Sequence, residues 1–198
     1  MKQQLNELLL QSLETELGGV QIYQTALDCV ANKDLREEWE KYLDQTTHHV
    51  EVMRELFEKL GLDTEQETPG RKVVRHIGES LVKAMQMAQQ AGDHKAAELV
   101  ACECVSLAET KDHANWELLA QCADKFKGKE ADVLKEACVE VEDQEDEHLY
   151  HSKGWCRELW IASLGMPAVL PPPEEKKDVK TAIGAARAQQ SRKEMLKK

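Results

Sequence analysis

Residues 134–155, LKEACVEVEDQEDEHLYHSKGW, decide how this chain folds. Leu134, Cys138, Val141, Glu145, His148, Ser152 and Trp155 follow one another at spacings of four and three, the inward seam of a helix packed in a bundle. Glu145 and His148 interrupt that otherwise apolar seam. Residues three apart on a helix lie side by side, so a carboxylate and an imidazole at this spacing are placed to hold a common metal ion.

The same string occurs earlier in weaker form. Asp143-Gln144-Glu145-Asp146-Glu147-His148 is matched, ninety-nine residues upstream, by Asp44-Gln45-Thr46-Thr47-His48-His49. Here the seam runs Leu35, Trp39, Tyr42, Thr46, His49, Met53, Leu56 and Leu60, so Thr46 takes the place of Glu145 and His49 that of His148. Gln45 and His48 do not replace the missing glutamate, because each sits about 100° around the helix from its seam neighbour.

Each copy has an upstream companion. Leu5, Leu9, Ser12, Glu16, Gly19, Tyr23, Ala26 and Val30 form one further seam, with Glu16 two turns before Tyr23. Glu109 stands two turns before Trp116, and Leu119, Ala123 and Phe126 continue that stripe. Each half of the chain therefore reads as a helical hairpin with an inward Glu on one helix and an inward His on the other. Two such hairpins predict an all-α, four-helix bundle whose polar groups converge at its middle.

Punctuation sets the boundaries. The first helix is expected over 2–31, ending at Asn32-Lys33-Asp34, and the second ends at Leu60 before Gly61. After a loop over 62–70, an amphipathic crossover helix spans 71–91, broken by Gly92 with Asp93 as N-cap. The fourth helix, 94–127, has an inward face that drifts from Ala96, Val100, Glu103 and Leu107 to Val105, Glu109, Trp116 and Leu119; the fifth covers 130–164. Residues 1–165 thus form the bundle. Residues 166–198 form a proline-rich, charged tail with a short helix near 182–195, either mobile or packed on a partner subunit.

Composition agrees with helices and excludes several classes. Aromatic residues make up 5% of the 198, and the formal net charge is −11, which argues against the basic face of a nucleic-acid binder. No apolar run reaches the roughly 20 residues that span a bilayer, and no signal-peptide core follows Met1, so a cytoplasmic protein is expected. Cys29, Cys102, Cys104, Cys122, Cys138 and Cys156 contain no C-x-x-C pair and read as small buried residues, with Cys102 one thiol near the polar layer. His76, His94 and His113 read as solvated, and His151 as either a surface residue or a partner of the seam histidines. Trp39, Tyr42, Trp116 and Trp155 read as core aromatics.

Carboxylates at seam positions need compensation, since a buried unpaired charge costs several kcal/mol by order of magnitude. A metal ion bound by Glu16, His49, Glu109, Glu145 and His148 supplies it. The competing arrangement is a polar core in which Glu16 and Glu145 pair with protonated His49 and His148.

With these residues in place, the chain resembles the ferritin-like superfamily, in particular rubrerythrin-type di-metal carboxylate proteins without a rubredoxin domain. In that pattern two helices each give a Glu and two each give Glu-x-x-His, and the similarity covers about residues 3 to 160. The resemblance implies an iron centre (Fe2+/Fe3+), or a manganese one, that reacts with peroxide or oxygen or handles iron. Glu16 and His49 would hold one metal and Glu109 and His148 the other, with Glu145 bridging and Tyr23 as the catalytic side chain that limits side reactions. With no rubredoxin-like cysteine site in the chain, any electron donor must be a separate protein; a role in oxidative stress and a homodimer are also expected. Two departures stand out: Thr46 replaces a glutamate, and Glu109 to His148 is 39 residues where Glu16 to His49 is 33. The fourth-helix ligand is accordingly Glu109, Asp112 or Glu103. The alternative is a non-catalytic bundle with a degenerate site, acting as a stress-associated or scaffolding dimer.

Overall fold

The computed structural model describes residues 2–177 and 179–197. They form six α-helices and no strand: α1 Lys2–Cys29, α2 Lys33–Leu60, α3 Pro69–Gln90, α4 His94–Lys125, α5 Lys129–Ser163 and α6 Ala182–Met195, with a 3-10 turn at Pro173–Lys176.

Local chemistry explains the helix ends. The Asn32 side chain accepts from the amides of Asp34 and Leu35 to cap α2, and Gly61, at φ 66°, closes it in the left-handed conformation. Helix α3 starts before the expected Arg71 because Thr68 accepts from the Arg71 amide and Pro69 suits a first turn. Helix α1 stops short of Ala31 because the amides of Ala31 and Asn32 turn outward to Glu98 Oε1, at 2.9 and 2.6 Å.

The four long helices close a ring. Helix α1 packs on α2 and α4, and α5 packs on α2 and α4, while α3 lies outside against α1 and α4. Buried Arg71 ties α3 down through Glu14, with Nε 2.7 Å from Oε2. The apolar interior is split in two. One cluster gathers Tyr23, Trp39, Tyr42, Val105 and Trp155, and the other Leu9, Leu13, Met53, Phe57, Leu119 and Val141. Between them lies the layer of polar seam residues.

The expected drift of the fourth helix is corrected. Ala97, Ala101, Val105, Glu109, Asp112, Trp116 and Leu119 are buried along one row, whereas Ala96, Glu103 and Leu107 face outward. One continuous phase therefore carries Asp112 onto the inward face.

The tail is corrected as well: it folds on its own bundle. Glu158, with no exposed surface, meets Arg192 Nε at 2.5 Å, Arg157 Nε at 3.0 Å and the Val169 amide at 2.8 Å. Val179, Ala185 and Ala188 pack beside Tyr150. A charged tail looks unattached in sequence when its partners are charges buried at the end of the preceding helix.

Among the described residues no helix is long and apolar enough to cross a membrane. All six cysteines are free: four are buried and Cys122 and Cys156 are half-buried.

Candidate metal centre

The polar layer is built by the seam phase of four helices. Glu16 comes from α1, His49 from α2, Glu109 and Asp112 from α4, and Glu145 and His148 from α5; none is more than 4% exposed. The five metal residues expected from sequence are thus brought together, and Asp112 joins them. Glu103 stays outside, exposed and accepting from the Trp160 indole at 3.1 Å.

Glu145 stands between the two imidazoles. His49 Nδ1 is 3.0 Å from Glu145 Oε1 and 3.7 Å from Glu16 Oε2. His148 Nδ1 is 3.6 Å from the same Glu145 oxygen and 3.7 Å from Glu109 Oε2. The donor atoms of His49, Glu145 and His148 all lie within 4.8 Å of one another, as do those of Glu16, Asp112 and Glu145. Two half-sites share one carboxylate.

The far side of each ligand is held from the opposite hairpin. His49 Nε2 faces Gln144 Oε1 at 2.9 Å, and His148 Nε2 faces Gln45 Oε1 at 3.0 Å. An amide oxygen only accepts, so each Nε2 carries the proton and each Nδ1 is turned to the carboxylates. Trp116 Nε1 donates to Glu16 Oε1 at 2.7 Å, and Tyr23 Oη donates to Glu109 Oε1 at 2.7 Å. Each aromatic follows its own helix's glutamate by two turns and fixes the other hairpin's.

These outer bonds leave the inner atoms without partners. Seven of them (Glu16 Oε2, Glu109 Oε2, Asp112 Oδ1, both Glu145 oxygens and Nδ1 of both histidines) make no hydrogen bond although fully buried. Buried polar atoms are ordinarily paired; here the 3.0 Å contact of His49 Nδ1 with Glu145 Oε1 is the closest ion pair among the seven, so one imidazolium faces four carboxylates. Electrostatics say the same. Burial, then the Glu145 charge, raises the Glu109 carboxyl well above its usual range; burial, then Glu16, does the same to Asp112, and burial raises Glu145. Burial opposes a charge on His49, yet the carboxylates of Glu145 and Glu16 push it up to about 11. Burial, followed by the His49 charge, lowers His148 well below its usual value. The single His49 imidazolium does not balance the buried carboxylates around it, which need a further cation or retained protons. Mixed carboxylate and imidazole donors suit iron, manganese or zinc, so the residues fit a metal.

Thr46 contributes no ligand. Its Cγ2 would stand 3.0 Å from a Cβ built on Gly19, so this position serves the close approach of α1 and α2. Asp112 supplies a fourth carboxylate instead.

A pocket of about 180 Å³ leads inward between α4 and α5 to Glu145 and Trp116, rimmed by His113, Glu117, Glu142 and Asp146 and covered by Thr181 and Ala182. His113, expected in solvent, is only 13% exposed because Nε2 meets Asp146 Oδ1 at 2.6 Å. His151 is buried too, and its partners are Glu38, Tyr42 and Glu175 rather than the seam histidines. Cys102 is buried in the apolar cluster of Tyr23 and Trp155, where burial raises its thiol well above the usual value.

The residues that sequence reasoning missed are Gln45 and Gln144. Both stood in the repeated string, each just before the seam residue. A side chain about 100° off the seam faces the neighbouring helix, which is where a residue supporting a ligand must sit.

Fold and site together define an all-helical protein with a buried, two-lobed carboxylate–imidazole cluster. Compared with protein-family models, characterised proteins and solved structures, the chain matches none of them.

Proposed function

We propose that this chain is a ferritin-like metalloprotein whose centre holds two iron or manganese ions and reacts with peroxide or oxygen. The observation that carries the reading is the set of seven buried donor atoms without hydrogen bonds, joined only by ion-pair contacts such as that of His49 with Glu145, facing one another across the polar layer. Glu16, His49, Glu109, Glu145 and His148 would hold the two ions, with Asp112 beside Glu16. The metals, when bound, supply redox chemistry at this position.

The chain's own residues do the rest. Trp116 and Tyr23 each fix one carboxylate oxygen, so that the second oxygen of Glu16 and of Glu109 points inward. Gln45 and Gln144 hold the imidazole rings in the ligating orientation. The two apolar clusters exclude water from either end, and the pocket beside Glu145 admits a small oxidant. Tyr23 keeps its proton, because burial and then the neighbouring Glu109 raise the phenol well above its usual value. A hydrogen-bonded phenol is harder to oxidise than a phenolate, and this restrains side reactions at the centre. A separate protein delivers the electrons.

Peroxide consumption by the iron-loaded chain tests the reading. The parent is expected to reduce one peroxide per two ferrous ions in a single turnover, the iron being oxidised to ferric, and Glu145→Gln to lose this reaction. Consumption no faster than that of free ferrous iron contradicts the redox role; with iron still bound, it favours iron handling or a scaffolding bundle in which Thr46 marks a degenerate site.

A further inference from the structure

A second group of ligand-type side chains lies outside the central layer and shares no residue with it. Glu38 comes from α2, His151 from α5 and Glu175 from the 3-10 turn in the tail. His151 Nδ1 is 2.8 Å from Glu38 Oε1, 3.2 Å from Glu175 Oε1 and 3.1 Å from Tyr42 Oη. Tyr42 donates to Glu38, and Trp155 Nε1 donates to Glu175 Oε1 at 2.9 Å. The ring of Tyr42 separates the two groups: it lies 4.2 Å from the His148 ring and turns its hydroxyl away toward Glu38.

One nitrogen carries at most one hydrogen, and here three oxygens crowd it. Two of them belong to carboxylates that meet each other, and burial, with Glu38 alongside, raises Glu175 to about 7. Despite burial, Glu175 and Glu38 hold the His151 proton up to about 10, so one imidazolium serves two carboxylates. Zinc bonds nitrogen and oxygen at about 2.0–2.2 Å, and tetrahedral ligand atoms then lie roughly 3.4 Å apart, a few tenths of an ångström wider than the 2.8 and 3.2 Å spacings found here. The side chains are 10–16% exposed, enough for an ion and a completing water to reach them from solvent. His151 is nine-tenths buried, and its Nε2 has no hydrogen-bond partner, so the oxygens about Nδ1 are the ring's polar anchor.

We infer that Glu38, His151 and Glu175 form a second divalent-cation site, of the zinc type, that fastens the C-terminal segment to the bundle. Binding replaces the proton on His151 Nδ1, and any proton on Glu175, with the dication; two carboxylates and a neutral imidazole then balance its charge. One carboxylate belongs to the tail, so the ion adds a bond between segments already joined by Arg157–Glu174, Arg192–Glu158 and Lys180–Asp143. The site stands whether or not the central layer holds metal.

The test is amide hydrogen exchange over residues 166–197 of the full chain, with and without zinc alone. Zinc is expected to slow exchange in the tail of the parent and of Asp112→Asn, which alters the central set only. It is expected to leave Glu175→Gln and Glu38→Gln unchanged, both with unaltered circular dichroism before zinc is added. A cobalt titration should count one ion fewer in each of those two variants than in the parent. Two carriers on different elements keep the test decisive if one variant fails to fold. No zinc effect on the parent tail, or an effect that survives in Glu175→Gln, overturns the site. Tail protection without metal at Glu145 sinks the central reading and leaves this one intact.

Discussion

Gln144 on α5 places its Oε1 2.9 Å from Nε2 of His49 on α2. Gln45 returns the same contact to His148 across the ring, at 3.0 Å. Each hairpin thus orients the imidazole of the other. Gln144→Leu and Gln45→Leu each remove one acceptor while keeping the side chain's bulk. Metal affinity is expected to fall roughly 10–100-fold in either, the usual effect of losing a partner behind a ligand. Competition against a chelator of known affinity measures it; unchanged affinity in both would deny these glutamines an orienting role.

Burial, then the Glu16 charge, raises the Asp112 carboxyl well above its usual range in the metal-free chain. Asp112→Asn is therefore expected to leave metal-free thermal stability unchanged or slightly higher while lowering the number of metals bound. A loss of about 3 kcal/mol or more without metal is what breaking a buried ion pair costs, and it would assign Asp112 to a structural pair.

Gly19 faces Thr46 so closely that an added Cβ would meet Thr46 Cγ2 at 3.0 Å. Gly19→Ala should destabilise the chain by roughly 1–3 kcal/mol through overpacking. Adding Thr46→Ser removes that methyl, so the double variant is expected to be more stable than the sum of the two single changes predicts. Denaturant unfolding of the four proteins reads the coupling, and strict additivity would rule out the contact.

Protons held in the core give metal-free stability a pH dependence. Despite burial, neighbouring carboxylates raise His49 to about 11 and His151 to about 10, against 6.5 for an ordinary histidine. Each contribution is complete below the unfolded value and is lost as pH rises toward the folded one. The slope is about 1.4 kcal/mol per pH unit for each proton that only the folded chain retains. Stability is therefore expected to fall between pH 7 and 10, and urea unfolding across that range checks it. His148, lowered by burial, acts in the opposite sense below 6.5. Saturating metal should flatten the alkaline slope by displacing the His49 proton; a flat metal-free profile would contradict the buried imidazolium.

Much of this was legible in the sequence because a seam is a one-dimensional signal. The spacing of Leu134, Cys138, Val141, Glu145 and His148 gave both the helix and its inward face, and the repeat gave the second hairpin. The place of Asp112 depended on the phase of α4, which Ala96, Glu103 and Leu107 obscured by offering a rival seam with a carboxylate of its own. Gln45 and Gln144 were hidden for another reason: their partners lie across the ring, at separations no helix periodicity encodes. The tail was misread because Glu158 and Glu174 look like surface charges until Arg192 and Arg157 are seen against them.

The central claim is tested most directly by elemental analysis of the full chain, loaded anaerobically with ferrous iron and then desalted. Close to two irons per chain is the predicted result, with Glu145→Gln retaining fewer. No iron in the parent, and no manganese or zinc after the same treatment, would contradict the account and leave a helical bundle whose core carboxylates share protons instead of metal.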